Sequence, residues 1–194
     1  DKETEQVVVF NKEQCQFAYR ESIFKKELRG KHIILSISLV LSKKPKINIE
    51  YGAIAETLKL MKVENPTIKD VSDAVIAIRS SKLPNPKEIG NAGSFFKNPV
   101  VDLKLVKELQ GKYPSLPVYT VDEKCAKLPA AWLIEQAGWK GKSFGNYGVH
   151  KNQALVLVNY GGAKGEDIKN LAHSIQADVF SKFGIEISPE VNFI

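Results

Sequence analysis

The sequence predicts an α+β fold, on three observations. Segments 7–10, 32–40 and 153–159 are apolar and β-branched with few helix formers, the composition of strands. Two other segments, one opening at Thr67 and one over 166–183, carry apolar residues at helical spacing. Neither G-x-G-x-x-G nor G-x-x-x-x-G-K-[ST] occurs, so both common nucleotide-binding fingerprints are missing.

Length and composition bound the rest. At 194 residues and 43% hydrophobic, the chain can bury one core or a core and a half. No apolar run approaches the ~20 residues of a membrane helix, and DKETEQ lacks the pattern of a signal peptide. Cys15 and Cys125 have neither metal-ligand nor C-x-x-C spacing and read as reduced thiols of a cytosolic protein. Net charge is +6, from 28 basic and 22 acidic side chains, which suits an anionic partner. The lysines are scattered, so a diphosphate ligand fits better than nucleic acid. The chain opens at Asp1 and runs at once into an apolar strand, which marks it as a piece of a longer protein.

In order, 7–10 is a first strand, followed by CQFAYRESIFKKE over 15–27. There Arg20 and Ser22 lie among Phe17, Ile23 and Phe24. The planar fork of Arg20 suits a carboxylate or phosphate, and surface pairing with Glu21 or Glu27 accounts for it equally well. Segment 32–40 is the plainest strand, and 47–51 a shorter one before a loop or short helix. Tyr51, beside Gly52, either covers a ligand or is a half-buried ring. Thr67 and Asp70 fit a capping box for a helix with Val71, Ala74, Val75 and Ile78 on its apolar face. LPNP breaks that helix, placing a domain boundary over 80–90. Expected domains are 1–80, 81–190 and a returning last strand at 191–194.

The organising stretch is GNAGSFFKNPV at 90–100, a glycine loop with small residues around Ser94. It reads either as a positioned hydroxyl or as a turn followed by two core phenylalanines. Beyond it, Asp102 caps a helix that stops at Gly111, and 118–120 is a short strand. A helix with Pro129 in its first turn ends before Gly138, and 139–152 is a polar-aromatic loop. After the helix at 166–183, segments 185–187 and 191–194 form an interrupted final strand. Ser94 with His150 or His173 suggests a hydrolase, but no G-x-S-x-G elbow is present. The three histidines lack metal spacing, and His173, within an amphipathic helix, is structural.

Six runs carry a resemblance: CQFAYRESIFK, SSKLPNPK, GNAGSFFKNPVV, AAWLIEQAG, GVHKNQALVLVN and PEVNFI. In this order and spacing the chain resembles the UDP-N-acetylenolpyruvoylglucosamine reductase (MurB) family over essentially its full length. The resemblance implies a remnant of a second FAD-binding-type α+β domain, then a substrate-binding C-terminal domain with a small, mostly antiparallel sheet. It implies a cytoplasmic flavoprotein oxidoreductase of peptidoglycan precursor synthesis, and so of cell-wall biogenesis, cell shape and division. FAD and NADPH are its cofactors, a UDP-sugar its substrate, and neither metal, nucleic acid nor membrane is involved. The family's flavin contacts lie mainly in an N-terminal FAD domain absent from this sequence, so the chain alone is expected to be colourless and inactive.

By the same resemblance Ser94 is the proton donor to the carbanion formed on the enolpyruvyl group. Arg20 and Glu190 flank the substrate carboxylate, Glu190 as a protonated acid or through a partner, since a bare carboxylate repels the intermediate. Tyr51, Lys82, Asn98 and Gln153 hold the sugar nucleotide, with Lys82 the ammonium for diphosphate oxygens. The competing reading is a non-redox UDP-sugar-binding module, in which Arg20 and Ser94 are dispensable for binding.

Overall fold

In the computed structural model, which describes residues 1–50 and 52–193, the chain divides into two units, Asp1–Lys46 and Ile47–Ile194. In the first, the rings of Phe10, Phe24 and His32 meet edge to face at 5.1, 5.4 and 6.2 Å. Cys15 is buried nearby in sequence, and its carbonyl accepts from Ile23 N at the start of a single 3-10 turn, Ile23–Lys25. The strands expected at 7–10 and 32–40 do not form, and 47–50 is likewise irregular. Val9 and Val40 are 86% and 104% exposed. β-branched composition favours a pleated surface only where a neighbour completes the ladder, and no described segment pairs with these.

The second unit holds five α-helices and two three-stranded antiparallel sheets, an α+β architecture. Helix α1 (Ile54–Leu60) packs on α2 (Ile68–Lys82) through Ile54, Leu58 and Ala74. The capping box forms as the sequence predicts: Thr67 Oγ1 accepts from Asp70 N, and Asp70 accepts from Thr67 N at 2.8 Å. The Thr67 hydroxyl, donating to Asp70 Oδ2 at 2.6 Å, and then the Thr67 N–H hold the Asp70 carboxyl below its ordinary range.

One sheet orders β1 (Gly90–Ser94), β6 (Val156–Asn159) and β5 (Tyr147–Val149); the other orders β2 (Val100–Asp102), β4 (Cys125–Lys127) and β3 (Tyr119–Thr120). Helices α3 (Leu103–Lys112), α4 (Ala130–Gln136) and α5 (Gly165–Phe183) pack around them. Leu133, Ile134, Val149, Leu157, Ile175 and Val179 form the centre of the main core. The Asp102 cap, the helix after Pro129 and the Gly184 stop all occur, Gly184 at φ +67°.

Five expectations change in this unit. The 90–94 stretch is a strand rather than a loop, because its backbone groups pair with β6. The 139–152 segment contains β5, and Gly111 lies inside α3, whose cap is Tyr113. β6 begins at Val156, since 153–155 turn into it. Segments 185–187 and 191–193 are not strands: Ile185 and Ile187 are buried at 2% and 1% exposure against the core without a ladder. The apolar alternation at 185–187 records burial alone.

Candidate functional site

The site grows from an irregularity in β1. Gly90 and Asn91 pair with Asn159 and Val158, but the next partner of β6 is Ser94 on Val156, so two residues of β1 lie opposite Leu157 alone. This is a β-bulge, a device that re-aims a side chain. Gly93 sits in it at φ +72°, a conformation that costs a residue with a Cβ. Asn91 braces it: its Oδ1 accepts from Gly93 N at 3.0 Å and its Nδ2 donates to Ile89 O at 2.8 Å. Ser94 emerges exposed, anchored on one side by Phe95 and Phe96, both buried.

Glu190 reaches the same place from the far end of the chain. Its backbone N–H donates to Phe95 O at 2.8 Å, Lys97 N donates to Ser188 O at 2.8 Å, and Phe96 bridges Pro189. Ser94 is thus the chain neighbour of Phe95 and Glu190 is hydrogen-bonded to it, with Glu190 half-buried. Gln153 lies in the turn entering β6: Val156 N donates to its carbonyl at 3.0 Å and Leu155 N to its Oε1 at 3.4 Å. Val156 is also the pairing partner of Ser94. Ser94, Glu190 and Gln153 therefore gather at one end of this sheet.

Asn98 has structural work beside its expected role. Its Oδ1 accepts from Ala130 N at 2.9 Å, capping α4 from 32 residues away. Lys82 is exposed at the last position of α2. Arg20 belongs to the Asp1–Lys46 unit. It stands at φ +57° in a tight turn closed by Ala18 and Glu21, and Lys25 Nζ donates to its carbonyl at 2.9 Å. Tyr51 lies outside the described residues.

Two cavities open on the second unit, one of about 640 Å³ beside α1 and one of about 700 Å³ between Phe95, Leu157 and the start of α5. No described candidate residue lines either. Among the described residues no group of histidine, cysteine and carboxylate side chains has the arrangement of a metal site. No described helix is long and apolar enough to cross a membrane. One titratable residue that the sequence left without a role stands out. His150, just past β5, is buried, and burial above all, with Lys151 adding to it, lowers its pKa below the ordinary histidine value.

The model of one family, "UDP-N-acetylenolpyruvoylglucosamine reductase, C-terminal domain", matches residues 85–194. The chain belongs to the UDP-N-acetylenolpyruvoylglucosamine reductase family. Proteins of that name share its sequence far beyond the matched domain. The relative from Amoebophilus asiaticus is 55% identical over 185 residues, covering 95% of this chain and 55% of the relative. The Flavobacterium johnsoniae relative is 53% identical over 193 residues, covering 99% and 57%. One from Pseudomonas syringae pv. tomato is 46% identical over 192 residues, covering 99% and 56%. The chain thus spans little more than half the length of these members of the reductase family.

Proposed function

We propose that this chain carries the substrate-binding and proton-donating part of a reductase that converts the enolpyruvyl ether of UDP-N-acetylglucosamine to UDP-N-acetylmuramate for peptidoglycan. FAD and NADPH are its redox pair, held outside these residues, and the enzyme works in the cytoplasm. Residues 1–80 are the remnant of a flavin-binding domain and 81–190 the substrate domain. The observation that supports the reading is the bulge at Gly93, after which Ser94 is exposed next to Phe95, whose carbonyl accepts from Glu190 N.

The chemistry assigned to these residues is a proton transfer. Hydride addition to the terminal carbon of the enolpyruvyl group leaves an electron pair on the carbon bearing the carboxylate. That carbon takes the proton of Ser94 Oγ, forming a C–H bond as the O–H bond breaks, and the serine oxygen regains its proton from water. A serine suffices because the carbanionic centre is strongly basic and the hydroxyl is held close. Arg20 and Glu190 flank the carboxylate where charge develops. Lys82, Asn98, Gln153 and Tyr51 hold the UDP-sugar, Lys82 meeting diphosphate oxygens.

The test supplies the N-terminal portion of the Flavobacterium johnsoniae relative in trans and follows NADPH oxidation with the enolpyruvyl substrate. Ser94→Ala should lower turnover by roughly 10²-fold or more, the range of a positioned general acid. Unchanged turnover in that variant refutes the role of Ser94.

A further inference from the structure

Asn91 commits its whole amide to backbone. Its Oδ1 accepts from Gly93 N at 3.0 Å, and its Nδ2 donates to Ile89 O at 2.8 Å and to Pro84 O at 3.4 Å. Both hydrogens of the NH₂ group are thereby used, so this half-buried side chain has no donor left for a ligand. Its bonds run from the bulge of β1 to the turn that precedes the strand. That turn is stiff on its own account. Asn85 O accepts from Glu88 N and Ile89 N at 3.0 Å each, Asn85 Oδ1 accepts from Lys87 N at 3.1 Å, and Asn85 Nδ2 donates to Glu88 Oε1 at 3.0 Å. The Asn91 amide ties the bulge to a fixed footing.

Gly93 is where the footing matters. Nothing lies within 4 Å of where a Cβ on Gly93 would point, so no neighbour wedges it at its positive φ. The ladder holds it only in part, because the register between β1 and β6 breaks from Asn91 to Ser94. The bond from Asn91 Oδ1, to the N–H two residues on, is the kind by which an asparagine fixes a turn in its own backbone. Ser94 follows directly, so the aim of its side chain depends on the conformation Gly93 keeps. Asparagine suits this task better than its nearest substitutes. Alanine offers neither acceptor nor donor. An ionised aspartate keeps the acceptor but turns a second oxygen toward Ile89 O and Pro84 O, whereas a protonated one regains a single donor.

We infer that Asn91 is a positioning residue for Ser94, bracing the Gly93 bulge against the 84–89 turn so that the hydroxyl keeps one place. The inference rests on the function proposed above. Turnover is measured in the enzyme completed with the N-terminal portion of the Flavobacterium johnsoniae relative, and amide hydrogen exchange in the chain alone. Asn91→Ala should quicken exchange at Gly93 about tenfold or more. It should also lower kcat about 10–100-fold, the cost of a misplaced reacting group, with KM within about twofold. Added to Ser94→Ala it should cost nothing further, because the hydroxyl it acts through is already gone. A merely structural asparagine predicts the same proportional loss in both backgrounds. That result overturns the inference, as do unchanged exchange at Gly93, unchanged turnover, or a raised KM with kcat intact. Should Asn91→Ala fail to fold, Asn91→Asp decides. Burial and the two carbonyls raise the pKa of the new carboxyl, so kcat relative to the unaltered enzyme should climb from about pH 8 to about pH 5 as the proton restores a donor. A ratio flat with pH overturns the inference. If Ser94→Ala is slow and Asn91→Ala is not, the inference falls and the role of Ser94 stands; if Ser94→Ala leaves turnover unchanged, both fall.

Discussion

Gly148 is the position where one added methyl group should do most harm. A Cβ there would lie inside contact distance of Lys142 O, 2.9 Å from Ser143 Cα and 3.2 Å from Lys142 C, all backbone atoms. Backbone cannot swing aside as a side-chain end can, so overpacking should cost about 1–3 kcal/mol. The clash also falls on a working acceptor: Val149 N donates to Lys142 O at 2.8 Å, and its loss adds about 1 kcal/mol. Against this, alanine restricts the unfolded chain and returns about 0.4–1 kcal/mol. The net expectation for Gly148→Ala is a loss of about 1–3.6 kcal/mol, centred near 2. With a urea slope of about 2 kcal/mol/M, the unfolding midpoint should fall by roughly 1 M. Tryptophan fluorescence reports it well, because Lys142 N donates to Trp139 O at 3.1 Å and Lys142 Nζ lies 4.3 Å from the Trp139 ring centroid. A midpoint equal to that of the unaltered chain would refute the argument, since the 142–149 turn would then have room that its geometry denies.

Three further outcomes are expected. Asn98→Ala should destabilise the second unit by about 1 kcal/mol through loss of the α4 cap, whereas Asn98→Asp, which keeps the acceptor, should stay near the original in thermal melts. Thr67→Ala should cost about 0.5–2 kcal/mol by opening the α2 capping box, read as a lower midpoint in circular dichroism. His150 should titrate by NMR below its ordinary value of 6.5. Because folding favours its neutral form, that stability is present above 6.5 and is lost as pH falls through the lower folded value. A His150 midpoint at or above 6.5 contradicts this.

What could be read from residues alone had local causes. The Thr67–Asp70 box, the Asp102 cap, Pro129 and Gly184 each act within a turn of their helix, and all appear where expected. Pairing was legible only where both partners were recognised. The β-branched run at 32–40 has the composition of a strand and no ladder, while GNAGS has neither branching nor alternation and is one, because β6 meets its backbone. At the candidate site, the residue types around Ser94 left a placed hydroxyl and a turn before two core phenylalanines equally open, and the link from Phe95 to Glu190 spans most of the second unit and leaves no trace in spacing. The cap from Asn98 to Ala130 is equally silent, since an asparagine 32 residues from a helix start signals nothing locally. His150 looked like one histidine among three until its burial set it apart.

The Asn98 bond has a directional consequence. With its oxygen fixed on the first residue of α4, the amide cannot rotate end for end without uncapping that helix. Its NH₂ end keeps two donors, and its oxygen keeps one further lone pair beside the helix start. The start of one helix thereby settles the orientation of a side chain that sits on a different segment, 32 residues earlier in the chain.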